Sequence, residues 1–195
     1  MATYRAISAT CQAIVRLLQQ SWRPELFDDA PLQFAVYSTQ DFADPMDAGV
    51  SLFLYRANIN GVQRTPPARI DANGQRRRTQ LPVDLHLLLT PWAKAASLEH
   101  EILGWTMRTL EDWPILPAGI LNSQVPNTFA AEETVEIVRN DMAIEELVRI
   151  WDVLPHDFHV SASYMARVVR IDSELDVQAA GPVLTRQLDY GVVEE

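Results

Sequence analysis

Apolar residues recur at steps of three and four through the start of the chain: Ile7, Cys11, Ile14, Leu18 and Trp22. That spacing lines one face of an α-helix and predicts a helix over residues 4–22, with Thr3 as its N-cap and Pro24 as its stop. The period then drops to two. In "LQFAVYS", Leu32, Phe34 and Val36 alternate with Gln33, Ala35 and Tyr37, a short strand. After the turn-forming "DFADPMDAG", the run "VSLFLYRANIN" (50–60) is aromatic and branched enough for a mostly buried strand. A polar excursion follows over 61–80. Its Asn73-Gly74 is a two-residue hairpin signal, so a long β-hairpin or extended loop is expected, with Arg76, Arg77 and Arg78 at its tip.

The stretch "LPVDLHLLLTPWA" (81–93) has strict period two. Leu81, Val83, Leu85, Leu87 and Leu89 fall on one face, and Pro82, Asp84, His86, Leu88 and Thr90 on the other, with Thr90-Pro91 expected to end the strand. Ser97 should cap a helix running to Trp113, its buried stripe being Leu98, Ile102, Trp105, Thr109, Leu110 and Trp113. "PILPAGILNSQVPN" reads as a loop, and residues 133–139 as a strand. A short helix opened by Asp141 would pack through Ile144, Leu147, Val148, Trp151 and Leu154. Residues 157–172 close the regular structure, with Phe158, Val160, Ala162, Tyr164, Ala166 and Val168 alternating as a long strand. Most strand pairs lack a helix long enough for a crossover. The expectation is an α+β fold: a mixed, mainly antiparallel sheet with helices packed on it, forming one domain over residues 1–172 and leaving an acidic tail, 173–195.

Charge sharpens this picture. The 195 residues carry a formal net charge of -10. Between Arg56 and Arg78, however, six arginines (Arg56, Arg64, Arg69, Arg76, Arg77, Arg78) face one acid, Asp71, so this segment is +5 and the remainder -15. From Asp172 onward six acids face Arg186 alone. A net-negative chain with no aromatic residues between the arginines of 76–78 is a poor nucleic-acid binder, and pairing of those arginines with carboxylates, including those of another copy, fits better. The single cysteine, Cys11, sits in a helical apolar pattern as a small hydrophobe. The arginine-bearing N-terminus lacks the apolar core of a signal peptide, and no stretch approaches a membrane span, so cytoplasmic assembly is expected.

Candidate chemistry is sparse. Asp84 and His86 share a strand face and could form a catalytic pair, the basis of an alternative reading as a small hydrolase or metal-dependent enzyme. No G-x-S-x-G elbow accompanies them. His86, His100, His156 and His159 with Glu99 and Glu101 are the available metal ligands, yet H-x-x-H occurs once, in "HDFH", without an H-E-x-x-H helix or a cysteine pair. The scattered glycines make no phosphate cradle. No cofactor, metal site, small-molecule substrate or catalytic residue is expected.

Five strings in this order, "VSLFLYRANIN", "LPVDLHLLLTPWA", "LGWTMRTLEDWPIL", "EELVRIWDVLP" and "VSASYMARVVRID", carry a resemblance over about residues 7–172. The chain resembles the N-terminal domain of the cap, or tail-terminator, protein of phage-tail-like extracellular contractile injection systems. Its most specific block is 81–113. The resemblance implies a non-enzymatic structural protein: a homohexameric ring that closes the distal end of the inner tube, grips the last ring of sheath protein and halts polymerisation. It would assemble in the cytoplasm and then form part of the particle. An interface is then expected at Arg64, Arg69, Arg76, Arg77 and Arg78, and on the strand face of Asp84 and His86.

Overall fold

The computed structural model describes residues 2–27, 31–63, 69–70, 74 and 76–175. In chain order these form α1 (Ala6–Ser21), β1 (Gln33–Tyr37), β2 (Gly49–Ile59), β3 (Arg69–Ile70), β4 (Arg76–Arg77) and β5 (Leu81–Trp92), then α2 (Ala96–Asp112), β6 (Ile115–Pro117), α3 (Ala118–Leu121), β7 (Thr134–Arg139), α4 (Ile144–Trp151) and β8 (Ala162–Ile171). Among the described residues, one six-stranded sheet has the order β1-β2-β5-β8-β7-β6, and β3 pairs with β4. Only the β1–β2 pair of that sheet is parallel. The mixed, mainly antiparallel α+β fold expected from the pattern is what the chain adopts.

The period of two places the core. Val83, Leu85, Leu87 and Leu89 of β5 are buried on one face with Val50, Leu52, Ile137, Tyr164 and Val169, under Ile14 and Leu18 of α1 and Ile102 and Leu110 of α2. The opposite face is apolar only toward the C-terminal end of β5. There Leu88 and Trp92 meet Phe42, Trp151 and Leu154 in a second core. Phe42 stands on the 3₁₀ turn Thr39–Ala43, which is fastened by a capping box between Ser38 and Asp41. Its ring lies 5.4 to 6.2 Å from those of Tyr37, Phe53, Trp151 and Trp92, mostly edge to face. Gly49 starts β2 where the parallel pairing brings Gln33 against it: a Cβ there would stand 1.9 Å from the Gln33 carbonyl oxygen, at φ +145°.

Several local expectations are corrected. Pro91 does not end β5, which continues to Trp92, pairing Pro91 with Val50 and Trp92 with Gly49. The β8 ladder on the other side of β5 starts only at Ala162, opposite Leu89, so no bond on that side needs the missing prolyl N–H. None of the predicted caps serves. α1 begins at Ala6, with the Thr3 hydroxyl accepting from the Arg5 N–H (3.3 Å); α2 follows Ala95 and not Ser97, and α4 follows Ala143 and not Asp141. These helices are held by packing, which outweighs capping of about 1 kcal/mol. The proline-rich "PILPAGILNSQVPN" holds the edge strand β6 and the turn α3. Trp113, Ile144, Val148 and Phe158, predicted to pack, are 59%, 59%, 38% and 52% exposed. Arg64, Asn73 and nearly all of the acidic tail, 176–195, lie outside the described residues.

Candidate functional site

The sequence places its candidates around the N-terminal end of β5, and the structure shows how that end is built. β2 carries a bulge at Tyr55: Leu54 pairs with Leu87 and Arg56 with His86, leaving Tyr55 as the extra residue. β8 carries another. Val83 pairs with Val169 and Leu85 with Ala166, so Arg167 and Val168 together oppose Asp84. Val168 takes φ +55°, a left-handed conformation that a β-branched side chain rarely adopts. Asp84 answers this geometry. Its Oδ1 accepts the Val168 N–H at 2.8 Å, and its Oδ2 accepts from Asn60 Nδ2 at 2.9 Å. Asn60 in turn closes the strand end, its Oδ1 accepting from the N–H groups of Val62 (3.1 Å) and Gln63 (3.0 Å).

Asp84 is therefore a pin for two strands, and its oxygens do not point at His86. The His86 ring lies 5.9 Å from that of Tyr55, and its Nε2 is 3.4 Å from Asn58 Nδ2. Burial, aided by the Arg56 guanidinium, holds the imidazole below its ordinary range, against the weaker pull of Asp84 and Glu146. Beside it, Tyr55 Oη lies 3.2 Å from both Ser163 Oγ and Asn140 Nδ2. Burial pushes that phenol up, so it is neutral at ordinary pH. This part-buried polar network, beside α4, was not legible in the sequence. It depends on register, which brings Tyr55, Asn140 and Ser163 together from three strands or strand ends.

The arginine segment joins the same end. Arg69 stands opposite Arg77 and Ile70 opposite Arg76 in the β3–β4 register, so Arg76 and Arg77 form the return strand and are not at a tip. Arg78 follows and is exposed; Arg64 lies outside the described residues.

The remaining histidines lie toward the far end of β5. His159 stacks on Trp92 with ring centres 4.6 Å apart and its Nε2 3.4 Å from Glu99 Oε1; His156 packs edge-on to Trp92 at 5.1 Å. Among the described residues no three His, Cys, Asp or Glu side chains converge as metal ligands, and no helix is long and apolar enough to cross a membrane. Cys11 is buried, and its thiol is pushed up to about 11 by desolvation. What the N-terminal end of β5 offers is a set of polar and charged groups held by strand register, with no convergent metal-ligand set among the described residues.

Comparison with known proteins follows the same direction. A family model described as the Pvc16 N-terminal domain matches residues 9–185. Among solved structures, the fold is similar to the PVC sheath/tube terminator of an extracellular contractile injection system in its extended state, with TM-score 0.64 and 14% identity, over 97% of this chain and 65% of that one. It is also similar to the tube-terminating cap of the anti-feeding prophage, with TM-score 0.57 and 16% identity, over 91% of this chain and 59% of that one. The chain thus spans less than two thirds of the length of either. No curated protein sequence matches.

Proposed function

The chain belongs to the Pvc16 N-terminal domain family, and from that membership we propose that it is a structural cap, or terminator, of a contractile injection system. It forms a ring on the last ring of inner-tube protein, anchors the sheath and stops polymerisation, and its role is assembly and not catalysis. The observation that carries this reading is the match over residues 9–185, nearly the whole chain. Supporting it is the charge split along the chain: a +5 segment from Arg56 to Arg78 against -15 in the remainder. The ring is six copies of this chain, assembled in the cytoplasm and carried within the particle.

In this reading the interface residues are Arg64, Arg69, Arg76, Arg77 and Arg78, which meet carboxylates of a neighbouring subunit or of the tube ring. The face bearing His86 lies against a neighbour, with Asp84 holding its register. Replacing Arg76, Arg77 and Arg78 with glutamate in the producing cell, followed by negative-stain imaging of released particles, tests it. Particles of uncontrolled tube length or with sheath slipped from the end are expected. Unchanged particle length and intact ends would overturn the proposal.

A further inference from the structure

At the end of the sheet opposite the arginines lies a cleft of about 610 Å³ lined by Val148, Trp151, Leu154, Pro155 and Phe158, with Asp152 and Asp157 among its walls. Its apolar content is uncovered, for Phe158 is 52% and Val148 38% exposed, and Ile144, one helical turn before Val148 on α4, is 59% exposed. A helix that hides one stripe in its own core and shows a second apolar side to solvent is built to be covered. Trp151 is only 2% exposed, and among the described residues its Nε1–H has no hydrogen-bond partner, a donor that an incoming carbonyl would satisfy. The surroundings are acidic: between residues 141 and 157, Asp141, Glu145, Glu146, Asp152 and Asp157 stand against Arg149 alone.

We infer that this cleft receives the β3–β4 arginine segment of a second copy of the chain. The inference rests on the cap reading only in supposing that copies assemble, and it names the two surfaces that join. Two chains of charge -10 repel each other, and nearly every pairing of their surfaces brings acid to acid. The strongest exception is the segment from Arg56 to Arg78, which carries +5 within 23 residues, against +3 spread over residues 1–24. That segment also matches the cleft in kind. Ile70, 69% exposed, supplies an apolar side chain, and it is paired with Arg76 while the neighbouring pair is Arg69 and Arg77. Guanidinium groups suit a site that combines aromatic rings with carboxylates, stacking on the first and bonding the second in pairs.

Geometry forbids a chain from satisfying itself. Arg77 lies four residues before Leu81, which opens β5, whereas Trp151 packs on Trp92, which closes it, with ring centres 6.5 Å apart. Twelve strand residues separate the two ends by roughly 36 Å, and a four-residue link reaches about 13 Å. The contact is therefore between molecules and joins unlike surfaces, so it propagates head to tail and closes as a ring when the rotation allows.

The test uses the full chain in two variants, Arg76→Glu with Arg77→Glu, and Asp152→Arg with Asp157→Arg, each followed by sedimentation velocity and mass photometry at low salt. Each variant alone should weaken self-association at least about tenfold, as charge reversal at a close interfacial pair does. An equimolar mixture should recover assembly that neither variant shows alone, because the acidic cleft of one meets the arginines of the other and the reversed glutamates meet the reversed cleft. The chain carrying all four substitutions should regain assembly. Circular dichroism and melting of each variant check that the substitutions leave the fold intact. Association of the cleft variant within twofold of wild type overturns the inference, as does a mixture that stays monomeric. A wild-type chain that caps purified tubes yet never self-associates sinks the inference and leaves the cap reading standing. A chain that self-associates through these surfaces but ignores tube ends does the reverse.

Discussion

Removing the Asp84 carboxylate tests the reading of this residue as a strand pin. In Asp84→Ala the Val168 N–H loses its acceptor inside a half-buried bulge, and Asn60 Nδ2 loses its partner. Hydrogen bonds to a charged acceptor contribute about 1.5–3 kcal/mol net when sheltered, and water reaches this half-exposed site, so the pair together should be worth about 2 kcal/mol. For a chain of this length that lowers Tm by about 4–8 °C. Asp84→Asn refines the test. Its Oδ1 still accepts from Val168, but its new amide would face Asn60 Nδ2, donor against donor. Asn60 cannot rotate to help, because its Oδ1 is committed to the N–H groups of Val62 and Gln63. The expected loss is about half that of alanine, about 1 kcal/mol. Calorimetry and urea unfolding of the three proteins measure both steps. Asp84→Ala within about 0.5 kcal/mol of wild type, the range of an ordinary surface change, would refute the role, and so would Asp84→Asn costing as much as alanine.

Other positions are as open to test. Gly49→Ala should destabilise by about 3 kcal/mol or more, because its Cβ would meet backbone atoms of Gln33 and not a movable side chain; a normal melting curve would show the β1–β2 approach to be looser than described. Phe42→Ala empties the centre of the second core, where four rings converge, and should cost about 3–5 kcal/mol in urea unfolding. Cys11, buried with its thiol pushed up to about 11, should resist a thiol reagent at pH 8 in the native protein and react once unfolded. His86 is held below its ordinary range by burial and Arg56, so the unfolded chain binds its proton first. Relative to His86→Gln, the wild type should keep its stability above about pH 6.5 and lose it as pH falls below that value; parallel stability curves would contradict the assignment.

How much of this was legible beforehand depends on which physical term decides each feature. The inner row of β5, Val83 to Leu89, follows from period two alone, because burial on one face is the largest local term and the sequence displays it. The same reasoning failed on β8. Even alternation put Val168 on the inner row, whereas the buried residues are Tyr164, Ala166 and then Val169. That step of three is the mark of the bulge, present in the sequence but indistinguishable from noise without the partner strand whose Asp84 makes it stable. A polar residue in an apolar strand thus carried two readings, catalysis or scaffold, and only register chose between them. The helix caps failed for the opposite reason: a cap contributes about 1 kcal/mol and packing several times that, so Thr3, Ser97 and Asp141 could be overridden without loss. The second side of α4 shows where pattern reading ends. Ile144 and Val148 have the spacing of buried residues and are exposed, so the period is satisfied without any surface of this chain to satisfy it. An apolar pattern records that a face is to be covered and is silent about whether the cover is the same molecule. At α4 the described chain supplies none, and the acid that rims the face favours as its cover the most positive segment the sequence holds, Arg56 to Arg78.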